Sequence, residues 1–303
     1  MKNRYTKNAI ALMITLFFIM AITVSIGLGL KYVKEGSQSV NEEKFMLQSR
    51  TLLEDFLTML KTVPQITSIN SADTLSLFLA EASYIPINNK DVNIIIKISS
   101  ARDKINLGIL NTKAKRDSFR IFLSSNGVNT EYLYILDDLM GGIKEDSSYN
   151  TNIFSENPYL FRNYIASDEH LAQADKFYMQ TFHEDSLKNI TTNELFYTSS
   201  ENNATNYKLD LNRIKPICWE MILGCDKQRA EVLNANAGFY TNLNDVGLSE
   251  DENLSLSKFS QNISYYEPFI EVKITIMKKN QRAYISFEYN LESKKGSNFV
   301  FEV

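Results

Sequence analysis

Residues Lys7 to Lys31 read KNAIALMITLFFIMAITVSIGLGLK, and the run from Ala9 to Leu30 carries no charge. At ~1.5 Å per residue, a helix of that length crosses the ~30 Å hydrocarbon core of a bilayer. Lys2, Arg4 and Lys7 stand before it. By the positive-inside rule they hold the N-terminus in the cytoplasm and send everything after Lys31 across the membrane. The small-x-small site of a removed secretory signal is poorly matched by SIGLGLKYV, so the segment reads as a retained span.

The helical pattern continues past Lys31. Val33, Val40, Phe45, Leu52, Leu53, Phe56, Leu57 and Leu60 recur at helical spacing, with Lys34, Glu42, Glu43, Arg50, Glu54 and Asp55 between them, the mark of an amphipathic helix. Pro64 is the first proline and predicts the stop. The expectation is one helix of about fifty residues, ~80 Å long, apolar all round in its first half and one-sided in its second.

Two stretches alternate with period two. Val92, Ile94, Ile96 and Ile98 share one face. Arg102-Asp103 predicts a turn, and Lys104 to Gly108 a short returning strand. Near the C-terminus Ile270, Val272, Ile274 and Ile276 alternate outward, KKNQR turns, and Ala283, Ile285, Phe287 and Tyr289 alternate back. KKGS turns again, and Phe299, Phe301 and Val303 close. This is a β-meander with one buried face. The residues between the two β regions read as mostly helical. KAKRDSFRIFLSSNG and TEYLYILDDLMGG predict helices with glycine stops, and Ser167 predicts the N-cap of DEHLAQADKFYMQTF. SSENNATN and GLSEDENLSLS read as loops. The fold class is α+β: a long helix, then a small antiparallel sheet interrupted by a helical insertion.

The chain has 303 residues and a formal net charge of −4 with both signs interspersed, which gives no basic field for nucleic acid. The two cysteines, Cys218 and Cys225, lie in CWEMILGC. In an exported domain the pair suggests a disulfide. On a continuous helix their Cα atoms stand ~10 Å apart, too far to bridge, so a bond needs a break at Gly224. Two buried thiols on one helix face is the alternative.

The organisation and several motifs resemble the minor pseudopilin K family of type II secretion systems (general secretion pathway protein K), within the type IV pilin-like superfamily. Ala9 is followed by Ile10-Ala11-Leu12-Met13 and Ile14, in place of the usual Phe-Thr-Leu-Ile-Glu. NIIIKISSARDKINLGILN is similar to the family's strand, turn and Asn-Leu-Asn segment, on Asn106-Leu107 and Asn111. SENPYLFRNYIASDEHLAQADKFY is similar to its Pro-Phe and Ser-x-x-Glu-Leu helix start, on Pro158, Ser167 and Leu171. This chain departs from the family pattern in having Ala9 where Gly is usual, Asp137-Asp138 followed by LMGG in place of a longer acidic motif, and His170 where Glu is expected.

The resemblance implies a pilin-like fold and a division into segments. Residues 1–9 are a prepilin-type leader, cut between Ala9 and Ile10, with Ile10 the methylated N-terminus. Residues 10–30 form the transmembrane and filament-core helix, and 31–62 its amphipathic second half. The sheet region is 63–110 and 265–303, and the inserted helical domain is 111–264. The implied role is non-catalytic: nucleating a pseudopilus at its tip, in the inner membrane with the globular part in the periplasm. The implied partners are other minor pseudopilins, the major pseudopilin, prepilin peptidase and the inner-membrane assembly platform. Family members usually carry Glu five residues into the mature chain, pairing with the amine of the adjoining subunit, because an unpaired buried charge costs several kcal/mol. Here that position is Ile14, which suits a subunit with none above it. A minor pilin capping a type IV pilus shares these residues, and a bitopic periplasmic sensor or scaffold that stays in the membrane shares the span alone.

No catalytic constellation is present in the sequence. His170 and His183 are the two histidines, and His183 to Asp185 reads as a solvated helix end. NDVGLSEDENLS supplies Asp245, Glu250, Asp251 and Glu252 as calcium candidates, carboxylates of the kind a hard cation takes; some members of the K family bind calcium, but that family's ligands do not map residue by residue onto this chain. The spacing of these carboxylates is not that of an EF-hand, and an exposed acidic loop is the alternative. ENNAT and DENLS match a bacterial N-glycosylation pattern at Asn203 and Asn253, a match that an Asn-rich chain also makes by chance.

Overall fold

The computed structural model describes residues 18–19, 22–23, 39–89, 92–146, 148–183, 185–198, 207–278 and 281–302. The leader, the Ala9–Ile10 cut, Ile14 and Asn203 lie outside them. Among the described residues no helix is long and apolar enough to cross a membrane, and most of the span expected at 10–30 falls outside them.

The chain divides into two compact units, residues 1–101 with 268–303, and residues 102–267. The inserted unit thus begins at Arg102 and ends at Glu267, where the sequence reading put 111 and 264.

In the first unit helix α1 (Ser39–Thr62) ends just before Pro64, which opens a single further turn, Pro64–Thr67. A capping box at Ser71 and Thr74 starts α2 (Ala72–Ala82). Five strands follow: β1 (Tyr84–Asn88), β2 (Asn93–Ser100), β3 (Phe269–Lys278), β4 (Gln281–Asn290) and β5 (Lys295–Glu302). They pair in that order and are antiparallel throughout. The strand that pairs with the outer edge of β2 is therefore β1, and the returning strand expected at Lys104–Gly108 is not formed. There Ile105 makes one isolated bridge to Phe196, and Leu107–Ile109 is a 3₁₀ turn. Pro86 hid β1, since proline removes a ladder donor; its place on an edge strand makes that tolerable.

Ile94, Ile96 and Ile98 of β2, Ile270, Ile274 and Ile276 of β3 and the Ala283, Ile285, Phe287 and Tyr289 face of β4 are buried. Helix α1 covers β4, with Phe56 edge-on to Phe287 at 6.2 Å between ring centroids. It also reaches β5, where a Cβ on Gly296 would meet Leu57 Cδ2 at 3.3 Å and Phe299 Cζ at 2.5 Å. Phe18 and Ile22, one turn apart, are buried, and the Phe18 ring lies 5.8 Å from that of Phe56. One straight helix through both would separate them by ~57 Å, so the expected single helix from 10 to 62 is corrected.

The inserted unit is built from α3 (Lys113–Ser125), α4 (Tyr132–Met140), α5 (Asp168–Phe182), α6 (Pro216–Leu223), α7 (Lys227–Asn236) and α8 (Glu250–Ser257), with long connections after α4 and α5 and a two-residue parallel pairing of Leu209–Asp210 with Ile263–Ser264. Its core includes Phe119, Tyr132, Tyr178, Phe196, Trp219 and Phe259. Two buried polar residues two apart tie its distant stretches. Asp210 N–H donates to the Arg102 carbonyl (3.0 Å), and its carboxylate accepts from Asn212 N–H (3.0 Å) and Glu267 N–H (3.2 Å). Asn212 donates its amide to the Tyr240 and Tyr265 carbonyls and accepts from Gly238 and Tyr240 N–H, all within 2.9 Å. Every hydrogen-bonding capacity of that side-chain amide is used.

Candidate functional site

The most developed surface feature of the inserted unit starts from a buried carboxylate. Asp138 has no solvent exposure, and both its oxygens are filled. Asn150 donates its backbone and side-chain N–H to Oδ1 (2.8 and 2.9 Å), and Thr151 its N–H and hydroxyl to Oδ2 (2.7 and 2.8 Å). The neighbouring Asp137 makes a bidentate pair with Arg116 on α3. The acidic pair of α4 thus fastens one helix behind it and one loop in front.

That loop is stiffened by stacking. The Tyr149 and Phe154 rings meet edge-on at 4.6 Å, and the Arg162 guanidinium lies 4.1 Å from the Phe154 centroid. Arg162 also donates to the Tyr149 hydroxyl (3.0 Å) and to the Pro158 carbonyl (3.1 Å). The same guanidinium thus closes the turn that presents Pro158-Tyr159-Leu160-Phe161 on the Pro158 carbonyl and ties it to Tyr149.

Opposite this rim stands α5. Ser167 caps it by accepting His170 N–H. Rim and helix enclose an open groove of about 700 Å³. Tyr159 is 100% exposed and Phe161 45%. Glu169, Gln173, Lys176 and Gln180 run along the helix wall, with Phe177 deeper in. His170 also lines the groove yet is only 6% exposed. Its Nδ1 accepts Ala166 N–H (3.2 Å), and burial holds its pKa below the ordinary value. His170 therefore acts as a neutral buttress between rim and helix. The Ser167 cap and α5 were legible from sequence; the groove was not, because Asp138 meets its partners through tertiary folding.

The other residues singled out by sequence lie elsewhere. The helix does break at Gly224 (φ 69°), as a bridge would require, but Cys218 and Cys225 are separate thiols. The Cys218 sulfur faces the Asp103 and Leu195 carbonyls at 3.6 and 3.8 Å, and burial pushes its pKa up; the half-buried Cys225 is pushed up to about 11. His183 ends α5 in a left-handed conformation, and Asp185 pairs with Lys188.

The acidic stretch expected as a loop is largely helix α8. Ser249 and Glu252 form its capping box, with Glu250 and Asp251 in the first turn. Glu252 also takes a bidentate bond from Arg229 on α7 (2.9 and 3.0 Å), while Asp245 accepts from Thr241 and Asn242. Among the described residues no group of three or more His, Cys, Asp or Glu side chains could hold a metal, so the four calcium candidates are not gathered into a site: Asp245 and Glu252 serve as caps and Glu252 also as an ion pair. Asn253 sits within α8, its amide donating to the Leu248 carbonyl at 3.3 Å, and not in the loop expected for a glycan acceptor.

No protein-family model matches the chain, and no curated protein matches it. Among solved structures it is similar to a chain of the GspK-GspI-GspJ complex from the enterotoxigenic Escherichia coli type 2 secretion system. The TM-score is 0.59 at 11% identity, covering 87% of this chain and 97% of that one. The likeness shows a pseudopilin-like fold.

Proposed function

We propose that this chain is a minor pseudopilin of the K type in a type II secretion system. In this reading it stands at the pseudopilus tip, associates with two other minor pseudopilins, and nucleates assembly in support of protein export, without catalysing a reaction. The observation that carries the reading is the fold likeness over 97% of a chain from a minor pseudopilin complex. The Ala9–Ile14 sequence agrees with it. Prepilin peptidase would cut after Ala9, the apolar helix would leave the inner membrane for the filament core, and the globular part would lie in the periplasm. The major pseudopilin and the assembly platform are the further partners.

The mature N-terminus tests this reading. Mass spectrometry of the protein from cells with an active prepilin peptidase should find Ile10, N-methylated, as the first residue. An intact Met1 in those cells would overturn it.

A further inference from the structure

We propose that the apolar N-terminal stretch has two resting places: the bilayer that its sequence suits, and the surface of α1 around Phe56, which shelters it when no bilayer is at hand. The inference rests on the reading of residues 9–30 as a membrane segment.

The contact is one-sided, as a docked helix requires. Phe18 and Ile22 are 0% and 3% exposed, whereas Ile19 is 37% exposed. The four described residues there are helical, and the Thr23 hydroxyl donates to the Ile19 carbonyl four residues back. Positions i and i+4 share a helix face, so the face carrying Phe18 and Ile22 is covered and the neighbouring one is open. What Phe18 covers is an aromatic row. Its ring lies 5.8 Å from Phe56, Phe56 lies 6.2 Å from Phe287, and Phe287 lies 5.5 Å from Phe299. All three separations suit favourable aromatic pairs. Phe18 thus adds a fourth ring to a row that runs from α1 onto β4 and β5.

The two places exclude each other. Phe18 lies near the middle of the uncharged run, so a chain with that run across a bilayer has this ring among lipid tails. Apolar area decides which place wins. The bilayer takes the whole run, whereas the described contacts on α1 cover two side chains. The segment therefore leaves α1 when lipid is present and returns when it is not. Under the proposed function it must also join a filament core, and a chain with Phe18 on Phe56 has no such face to offer a neighbour. The contact is in that sense autoinhibitory: it keeps an unassembled subunit from exposing an apolar patch that would drive random association.

The test places p-benzoyl-phenylalanine at position 18 of the full chain, made by dilute cell-free synthesis and irradiated with or without phosphatidylethanolamine–phosphatidylglycerol liposomes. Without lipid, mass spectrometry should find position 18 joined, within one chain, to the tryptic peptide 51–61, which contains Phe56. Liposomes should lower that yield at least about tenfold. Ile22→Asn should lower the lipid-free yield about tenfold, because its amide would be buried without a partner. If the larger ring at position 18 disturbs the contact, the same label at the partly exposed Ile19 should reach α1. Absence of the 51–61 cross-link from both positions, a yield that lipid or Ile22→Asn leaves unchanged, or cross-links only between separate chains would overturn the proposal. None of these readouts involves the cut after Ala9. An intact Met1 would therefore remove the pseudopilin reading and leave this result standing.

Discussion

Glu267 N–H donates to the carboxylate of Asp210 at 3.2 Å, and through this bond the last residue of the inserted unit is held by the residue that also holds its first. Burial pushes the Asp210 carboxyl up to about 6, against the pull of the Asn212 and Glu267 N–H groups and of the Arg213 charge. Glu267, which faces it, is likewise raised by burial. With the folded pKa above the unfolded one, the native state holds a proton that the unfolded chain has released between about pH 4 and 6. The stability from Asp210 is therefore complete below about pH 4 and falls as pH rises to about 6. The difference amounts to up to ~3 kcal/mol. Asp210→Asn should remove that slope. Denaturant titrations followed by Trp219, the single tryptophan, should show the gap between wild type and variant changing over this range; a constant gap would contradict the prediction.

Asp138→Ala should cost the inserted unit ~2–4 kcal/mol, because four donors lose a buried charged acceptor. The same unfolding assay reads it. Proteolysis within 142–162 should accelerate in parallel, since the clamp holds that loop. A loss under ~1 kcal/mol would mean that water replaces the carboxylate readily.

The cysteines differ in access. Unreduced protein should have the mass of two thiols. A maleimide should label Cys225 slowly in the native state, the thiol being pushed up by burial and by nearby Glu252. Cys218 should react only after denaturation. Failure of both to label in denaturant without reductant would reveal a bridge.

Calcium should not raise the melting temperature of the full chain, because Asp245 and Glu252 already accept bonds from the protein itself. A rise of several degrees at millimolar calcium would show that those carboxylates can be redirected.

Under the proposed function, Ile14→Glu should leave the protein confined to filament ends. Should it become abundant along filaments, the missing carboxylate alone would set its position.

Period-two alternation with flanking turn residues made β2 to β4 readable almost to the residue, because those strands bury one face only. Ser167 announced α5 for an equally local reason. Helix α8 was misread from its acidic composition, although Ser249 and Glu252 spell a capping box that could have revealed it. Strand β1 was missed because Pro86 argues against a strand unless its place at an edge is known. Asp138, Asp210 and Asn212 are ordinary polar letters in the sequence. What makes them structural is partners 12 to 108 residues away, and no local pattern encodes those.

Strands β2 and β3 pair directly, Ser100 opposite Ile270, with the whole inserted unit between them in the chain. Closing so long a loop from an unfolded chain costs ~4–5 kcal/mol in entropy. Once Asp210 has gathered the two ends of the insertion, the remaining loop is only a few residues long and most of that cost is gone. The order of folding follows: the insertion first, then the central pairing of the sheet. A lesion such as the loss of Asp210 would then appear kinetically as slow sheet formation, far in sequence from the strands themselves.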